Sequence, residues 1–242
     1  MALRILALET SGRSGSVAVL DGAQPLVQVE LEPTQRSAQA LAPAIARVLT
    51  EAGWQPRQVE LVAVTAGPGS FTGLRVGVTT AKSFAWATGA AVLGVDTLEV
   101  IARQALDDGA LAPETPVAVA LEAERDEIFA AVYGPARGAV LHAPAIVASQ
   151  AWLATLEPGW RVTGPALGRL ASQVPAQVEI VASSRWFPTA AAVGQLAAWR
   201  FQCGQHDDVW QLVPRYFRRS AAEEKWEAAR LRLKSTGTTD GP

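Results

Sequence analysis

Short apolar runs rich in Val, Ile, Leu and Ala open the chain at Arg4 to Glu9, Ser16 to Leu20 and Leu26 to Leu31, with Gly residues and an Asp-Gly pair between them. Runs of that length bounded by turn residues predict three strands joined as a meander. The period then changes. Leu41, Ile45, Val48 and Leu49 recur on one helical stripe that stops at Gly53. Pro43 lies inside this stripe. An interior proline removes a hydrogen bond and costs about 3 kcal/mol, so a kink or a late helix start is expected. Next come a strand at Leu61 to Thr65, a Gly-Pro-Gly loop, a helix from about Thr72 to Thr88, a strand at Ala91 to Val95 and a helix at Leu98 to Leu106.

Asp107 to Pro116, with an Asp-Gly pair and two prolines, reads as a boundary. Beyond it the pattern predicts strands at Val117 to Leu121, Glu127 to Tyr133 and Val140 to Val147, then a helix at Gln150 to Leu156. A strand at Trp160 to Thr163, a helix after Gly164, a strand at Val178 to Ala182 and a helix at Thr189 to Cys203 complete it. The order β-β-β-α-β-α-β-α therefore occurs twice. Such a duplication predicts two related α/β lobes, each a mixed sheet flanked by helices, with a cleft between them. The expected divisions are 1–106, 107–213 and a tail at 214–242. In the tail, Ser220 with Glu223 forms a capping box, and Trp226, Ala229 and Leu233 share a face, so 221–234 is predicted as an amphipathic helix. That helix either packs on its own body or meets a partner. The polar, breaker-rich end after it is expected to fray.

The 242 residues suffice for one large or two modest domains with a sizeable core. With 49% hydrophobic and 18% charged residues, the composition is that of a globular protein and excludes collagen-like, disulfide-stapled and wholly disordered classes. No uninterrupted apolar run reaches the roughly 18 residues of a membrane span. The opening segment turns acidic after a short apolar stretch, so it reads as a first strand and not as a signal peptide. The single cysteine, Cys203, excludes an internal disulfide and a cysteine-based zinc site, in keeping with a reducing cytoplasm. Net charge is −2, which does not suit a protein that holds nucleic acid alone. The charge is uneven, however. Residues 214–234 carry seven basic side chains (Arg215, Arg218, Arg219, Lys225, Arg230, Arg232, Lys234) against Glu223, Glu224 and Glu227, a net of +4. With Asp240 at −1, the body before them is at −5. A basic end on an acidic body is either a solvated helix face or a surface for a polyanion shared with a partner.

The stretch Ala63 to Gly77, AVTAGPGSFTGLRVG, runs from strand through a glycine loop into a helix. Gly67 and Gly69 permit positive φ and close backbone approach, and Ser70 or Thr72 can cap a helix whose free amides suit an anion. A tight structural turn explains the same residues, and the Gly-Lys-Ser/Thr of a nucleotide P-loop is missing. On the helix, Gly73, Gly77, Ala81 and Ala85 form one face almost devoid of side chains. That face allows another helix to approach closely, either a partner's or one within the lobe.

These residues resemble a known family. Ile5 to Ser11 with Ser16 to Val19, then Gly67 to Gly77 with Ala81-Lys82, then Gly94-Val95 and Leu98, are similar to the TsaB (YeaZ) family, closely over residues 3–106. Leu121 to Arg125 with Glu127 to Phe129 resembles the family's Asp-Ala-Arg-x-Gly-Glu-Val-Tyr strand, and Pro214 to Arg218 its Pro-x-Tyr-Leu-Arg. The resemblance implies the two-lobed fold of actin, sugar kinases and Hsp70 ATPases, an RNase H-like duplication. It also implies an accessory role without catalysis or cofactor: supporting the paralogue TsaD as it transfers a threonylcarbamoyl group to the adenosine beside the anticodon of tRNAs reading A-starting codons. TsaE is the expected ATPase partner, tRNA is reached only through the complex, and a homodimer is open to the chain alone. The expected TsaD interface is Leu41, Ala42, Ile45, Ala46, Gly73, Gly77, Ala81 and Ala85. Vestigial anion or nucleotide contacts are assigned to Glu9, Thr10, Ser11, Gly67, Gly69, Ser70, Thr72 and Gly164, and a tRNA-facing tail to Arg215, Arg218, Arg219 and Lys225. The paralogue's two metal-binding histidines, four apart on a helix, have no counterpart, because His142 and His206 are the only histidines. Actin-like ATPases place aspartate where Glu9 stands, and the family's usual His-Ser-Glu is Ser37-Ala-Gln39 here. Glu122 likewise replaces a more usual aspartate. The competing readings are an actin-fold nucleotide hydrolase, a metal-dependent glycopeptidase-like enzyme and a stand-alone RNA-binding module.

Overall fold

The computed structural model describes residues 2–12, 14–32, 37–106 and 115–217. The capping box, the amphipathic segment 221–234, and Arg218, Arg219 and Lys225 lie outside the described residues.

In the first lobe, β1 (Arg4–Glu9), β2 (Ser16–Asp21), β3 (Gln24–Glu30), β4 (Leu61–Gly67) and β5 (Ala91–Asp96) form one sheet in the order β3-β2-β1-β4-β5. The second lobe repeats this order as β8-β7-β6-β9-β10. Its strands are β6 (Val117–Glu122), β7 (Glu127–Tyr133), β8 (Val140–Ala148), β9 (Arg161–Thr163) and β10 (Glu179–Ile180). The first three strands of each lobe are antiparallel neighbours, and the last two are added in parallel. β4 is buried along its whole length, as a central parallel strand covered on both faces must be. β3 instead alternates between half-buried and exposed positions, the pattern of an edge.

Helices cover these sheets: α1 (Ser37–Glu51), α2 (Phe71–Thr88), α3 (Thr97–Leu106), α4 (Ser149–Ala154), α5 (Leu167–Leu170) and α6 (Ala190–Gln202). No described helix is long and apolar enough to cross a membrane. The late start expected for α1 does not occur, because the helix runs from Ser37 through Pro43. Pro43 and Gln39, whose carbonyl it leaves unbonded, are both exposed, so water meets that acceptor.

The small-residue face of α2 corrects the expected interface. Gly73, Gly77, Ala81 and Ala85 are buried, turned onto the lobe's own sheet. A Cβ on Gly73 would stand 2.0 Å from the Thr10 carbonyl oxygen, and one on Gly77 2.1 Å from Thr10 Oγ1. The stripe does serve close approach, but at Gly73 and Gly77 to Thr10, the residue that follows β1 of the same chain. Leu41 and Ile45 are likewise in the core beneath this sheet, whereas Ala42 and Ala46 face outward.

A second correction concerns the division at 213. α6 follows the second sheet in sequence, yet Ala190, Val193, Leu196 and Ala197 cluster with Ile5, Ala7, Ala18, Leu20, Leu61 and Ala63 of the first. Gly194 lets it sit there, since a Cβ would meet Leu20 Cδ1 at 2.3 Å. Conversely α3, which follows the first sheet, buries Leu98, Ile101, Ala102 and Ala105 against Val117, Val119 and Tyr133 of the second. Each lobe thus lends a helix to the other. The chain then stays on the first lobe, where Asp207 pairs with Val92 and Lys82 Nζ donates to the carbonyls of Trp210 and Leu212 at 3.2 and 3.0 Å.

Two outcomes follow from this packing. Ala81→Leu overfills a closed contact and should destabilise the chain by about 1–3 kcal/mol. At about 2–4 °C per kcal/mol for a chain of this size, thermal melting reads this directly. At the β6–β7 turn, Arg125 and Asp126 hold φ of 57° and 60°, a region that costs residues with a Cβ. Asp126→Gly should therefore raise stability by about 0.5 kcal/mol, measured as a higher urea midpoint at unchanged slope.

Candidate functional site

β1 ends at Glu9 and is followed by Thr10 and Ser11; all three are buried, and the β4–α2 loop folds over them. Ser70 N donates to the Ser11 carbonyl at 2.7 Å, and Ser70 Oγ accepts from Gly73 N at 3.2 Å, capping α2. Gly69, with φ of 153°, passes so near Ser11 that a Cβ would lie 2.5 Å from its carbonyl oxygen. Gly67, at φ 119° and joined to Pro68 by a cis peptide bond, has the Arg215 carbonyl oxygen 2.6 Å from its would-be Cβ. The loop glycines are therefore surrounded by backbone carbonyls of their own chain. Thr72 is exposed on the first turn of α2. Gly164 repeats the device in the second lobe, where φ is 115°, a Cβ would stand 2.3 Å from the Ala120 oxygen, and Ala166 N donates to that oxygen at 3.1 Å.

Under this loop Glu9 Oε1 accepts from Ser11 N at 2.7 Å, from Ser11 Oγ, and from Thr65 Oγ1 at 3.5 Å. Its Oε2 and the neighbouring Thr10 Oγ1 are buried and have no hydrogen-bond partner among the described residues. Burial pushes the Glu9 carboxyl up to about 7, against the opposing hydrogen bonds from Ser11 and Thr65, and Glu30 adds a little repulsion. At the end of β5, in the same sheet, Asp96 Oδ1 caps α3 by accepting from Leu98 N at 2.8 Å and Glu99 N at 3.1 Å, and Tyr133 of the second lobe donates its hydroxyl at 3.2 Å. Burial raises the Asp96 carboxyl, while these bonds and nearby Arg215 pull it back. Burial likewise raises Glu99, opposed by Arg200 and Arg103. Arg200 pairs with Glu99, and Arg103 donates to the carbonyls of Gly134, Pro135 and Ala136, so this polar seam ties α3 and α6 to the second lobe.

Sequence reasoning missed a strap. Arg215 N donates to the Ala66 carbonyl at 2.6 Å. Tyr216 stacks on Phe71 with centroids 4.8 Å apart and accepts from Arg75 Nε at 2.9 Å, and Phe217 meets Phe129 of the second lobe edge-on at 5.8 Å. The adjacent aromatics of Pro214 to Phe217 were the available signal. Among the described residues no three His, Cys, Asp or Glu side chains stand together as metal ligands, and His142 packs on Trp160 at 5.9 Å. Of the assigned contacts, Glu9, Thr10, Ser11, Gly67, Gly69 and Ser70 come together at the end of β1, while Gly164 occupies the corresponding place in the other lobe.

Two lobes of identical strand order, each with a glycine loop seated on its first strand, define a two-lobed α/β fold of the actin-like class. A model of the family described as "TsaD: tRNA N6-adenosine threonylcarbamoyltransferase" matches residues 32–203. The tRNA threonylcarbamoyladenosine biosynthesis protein TsaB of Escherichia coli (strain K12) is 29% identical over 238 residues, covering 92% of this chain and 98% of that protein. The protein of the same name from Bacillus subtilis (strain 168) is 27% identical over 93% of this chain and 98% of its own length. The solved structure of YeaZ from Pseudomonas aeruginosa superposes with a TM-score of 0.76 at 27% identity, over 88% of this chain and 99% of that one. The chain belongs to the TsaB (YeaZ) family, within the wider TsaD-like family.

The buried Glu9 makes a pH prediction. Its folded-state value lies above the ordinary 4.5, so between about 4.5 and 7 the folded chain binds more protons than the unfolded one. Stability must then fall as pH rises through that window, by about 3 kcal/mol in all, and level off above it. Glu9→Gln should remove most of that slope and leave the variant the more stable of the two at pH 8, read from urea midpoints between pH 5 and 8.

Proposed function

We propose that the chain is a non-catalytic adaptor of a TsaD-type transferase. In this reading it supports transfer of a threonylcarbamoyl group to the adenosine next to the anticodon in tRNAs that read A-starting codons. It would do so in the cytoplasm and with TsaE as a further partner. Kinship to TsaB proteins over nearly the whole chain supports the pathway. The observation that carries the adaptor role is the outward side of α1 and α2. These helices touch, and they present Ala42, Ala46, Thr79 and Ser83, short uncharged side chains, with Trp86 at 69% exposure beside them. Small residues let a partner's helices come near, and an exposed tryptophan is a common interface anchor. The same face would pair two copies of the chain when TsaD is absent. The inward stripe of α2 then acts indirectly, by holding the helix in place.

The cleft fits a scaffold better than an enzyme. Glu9 is sealed beneath its own loop, and the loop glycines face carbonyl oxygens, which repel the phosphates a hydrolase would need. Arg215, Arg218, Arg219 and Lys225 contribute positive charge that adds to tRNA affinity only alongside a partner, since the body is acidic.

Ala46→Glu tests the interface by placing a charge on the face without disturbing the core. The variant should melt with the parent chain yet bind purified TsaD at least about tenfold more weakly in a titration, equivalent to 1.4 kcal/mol. Undiminished binding by both Ala46→Glu and Trp86→Ala would remove this face from the proposal.

A further inference from the structure

Where α4 packs on the ribbon of β7 and β8, the second lobe holds a cavity of about 210 Å³. Its walls include Ala130 and Val132 of β7, Ala145 and Val147 of β8, and Ala151 and Trp152 of α4. Three of these six are alanines, whose single methyl groups leave depth that a larger apolar side chain would fill. The strand ladder is irregular beside it. Ala130 pairs with Ala145 and Val132 with His142, so Ala143 and Pro144 of β8 stand opposite Ala131 alone. This is a bulge, and Pro144, which has no N–H for the ladder, occupies it. Bulges bend a strand and re-aim its side chains, and they recur beside functional sites.

No Asp, Glu, Lys or Arg side chain lines the cavity. Its other polar residues, His142 and Thr155, are exposed; His142 packs edge-on against Trp160, and Thr155 Oγ1 donates to the Trp152 carbonyl at 2.7 Å. Ala143, Ala145 and Ala151 are exposed too, so the cavity opens to solvent on that side. Trp152, by contrast, is only 4% exposed, and its Nε1 is buried with no hydrogen-bond partner among the described residues. An indole N–H can only donate, and in a buried tryptophan it ordinarily finds an acceptor.

We propose that this cavity is a binding site for a small neutral ring compound that accepts one hydrogen bond from Trp152 Nε1. Engineered cavities of about 150 Å³ take up benzene, so this one has room for a ring with a short substituent. A charged ligand finds no opposite charge in the lining, and its burial against methyl groups is costly. A nucleobase, with several polar groups on its edge, would leave most of them facing alanine and valine. A lone water needs two to four polar partners, and the walls supply one buried donor. The site goes beyond the adaptor role. It lies on elements that contribute nothing to the outward face of α1 and α2, and so stands independently of TsaD.

The test titrates the full chain with acetophenone and follows the indole N–H signals by NMR, that of Trp152 assigned through its backbone amide. The Trp152 signal should move downfield as acetophenone binds. α-Methylstyrene has the same shape with a CH₂ in place of the carbonyl oxygen, and should bind about tenfold more weakly because it leaves the N–H unpaired. Benzoate, similar in size but anionic, should leave the signal in place. In Trp152→Phe the preference for acetophenone should vanish, read by saturation transfer to each ligand. Ala145→Leu and Ala151→Leu each fill the cavity from its exposed side, and should abolish acetophenone binding in chains that melt with the parent. A Trp152 signal unmoved by millimolar acetophenone overturns the proposal. So does equal affinity for α-methylstyrene or benzoate, a preference that persists in Trp152→Phe, or binding that survives both filled variants. A Trp152 N–H bonded to a long-lived water that acetophenone does not displace overturns it as well, since the cavity is then a hydration site only.

Discussion

The backbone of Thr10 and Ser11 at the end of β1 is the point on which the first lobe depends. Gly69 and Gly73 approach its carbonyl oxygens, and Gly77 the Thr10 side chain, more closely than any residue with a Cβ could, and Ser70 bonds to the Ser11 carbonyl while capping α2. That single contact sets the position of α2 on the sheet and the path of the β4–α2 loop. The outward faces of α2 and of its neighbour α1 follow from it. A side chain at any of the three glycines would lift the helix from the strand, with consequences at the exposed surface some distance away. The proposed partner face is thus held in place by residues that a partner never touches.

The same contact explains the cleft. In the second lobe Gly164 seats its loop on Ala120 in the same manner, so the duplicated topology extends to the placing of a glycine against a first-strand carbonyl. In the first lobe the seating closes over Glu9 and leaves one carboxylate oxygen without a hydrogen-bond partner among the described residues. A buried carboxylate in that setting stays protonated to higher pH, and this weakens the fold as the pH rises. The chain carries that destabilisation alongside a polar seam of Asp96, Glu99, Arg103 and Arg200, which binds the lobes through α3 and α6. The strap of Arg215 to Phe217 adds a further tie, meeting Phe71 of the first lobe and Phe129 of the second.

Much of this was legible in the residues before any coordinates. The strands, the order β-β-β-α-β-α-β-α and its repetition follow from hydrophobic period and turn residues, because those signals are local. The glycine run announced a close approach for the same reason, since the absence of a Cβ is a property of the residue. Composition placed the chain among globular proteins, and the motifs in 3–106 carried the family resemblance.

What the residues left open was always the other side of a contact. The stripe Gly73, Gly77, Ala81 and Ala85 fits a foreign helix or a strand of the same lobe equally well, and only the fold turns it onto Thr10. Helices α3 and α6 have apolar faces that suit either sheet, so their exchange between lobes depends on which sheet lies within reach once both have formed. Tyr216 and Phe217 sit far in sequence from Phe71 and Phe129, and no local period links them. Sequence by itself determined which surfaces are apolar, small or charged, because these are properties of single residues and their near neighbours. The tertiary structure decided which of those surfaces meet, because that depends on contacts between segments that no local period links.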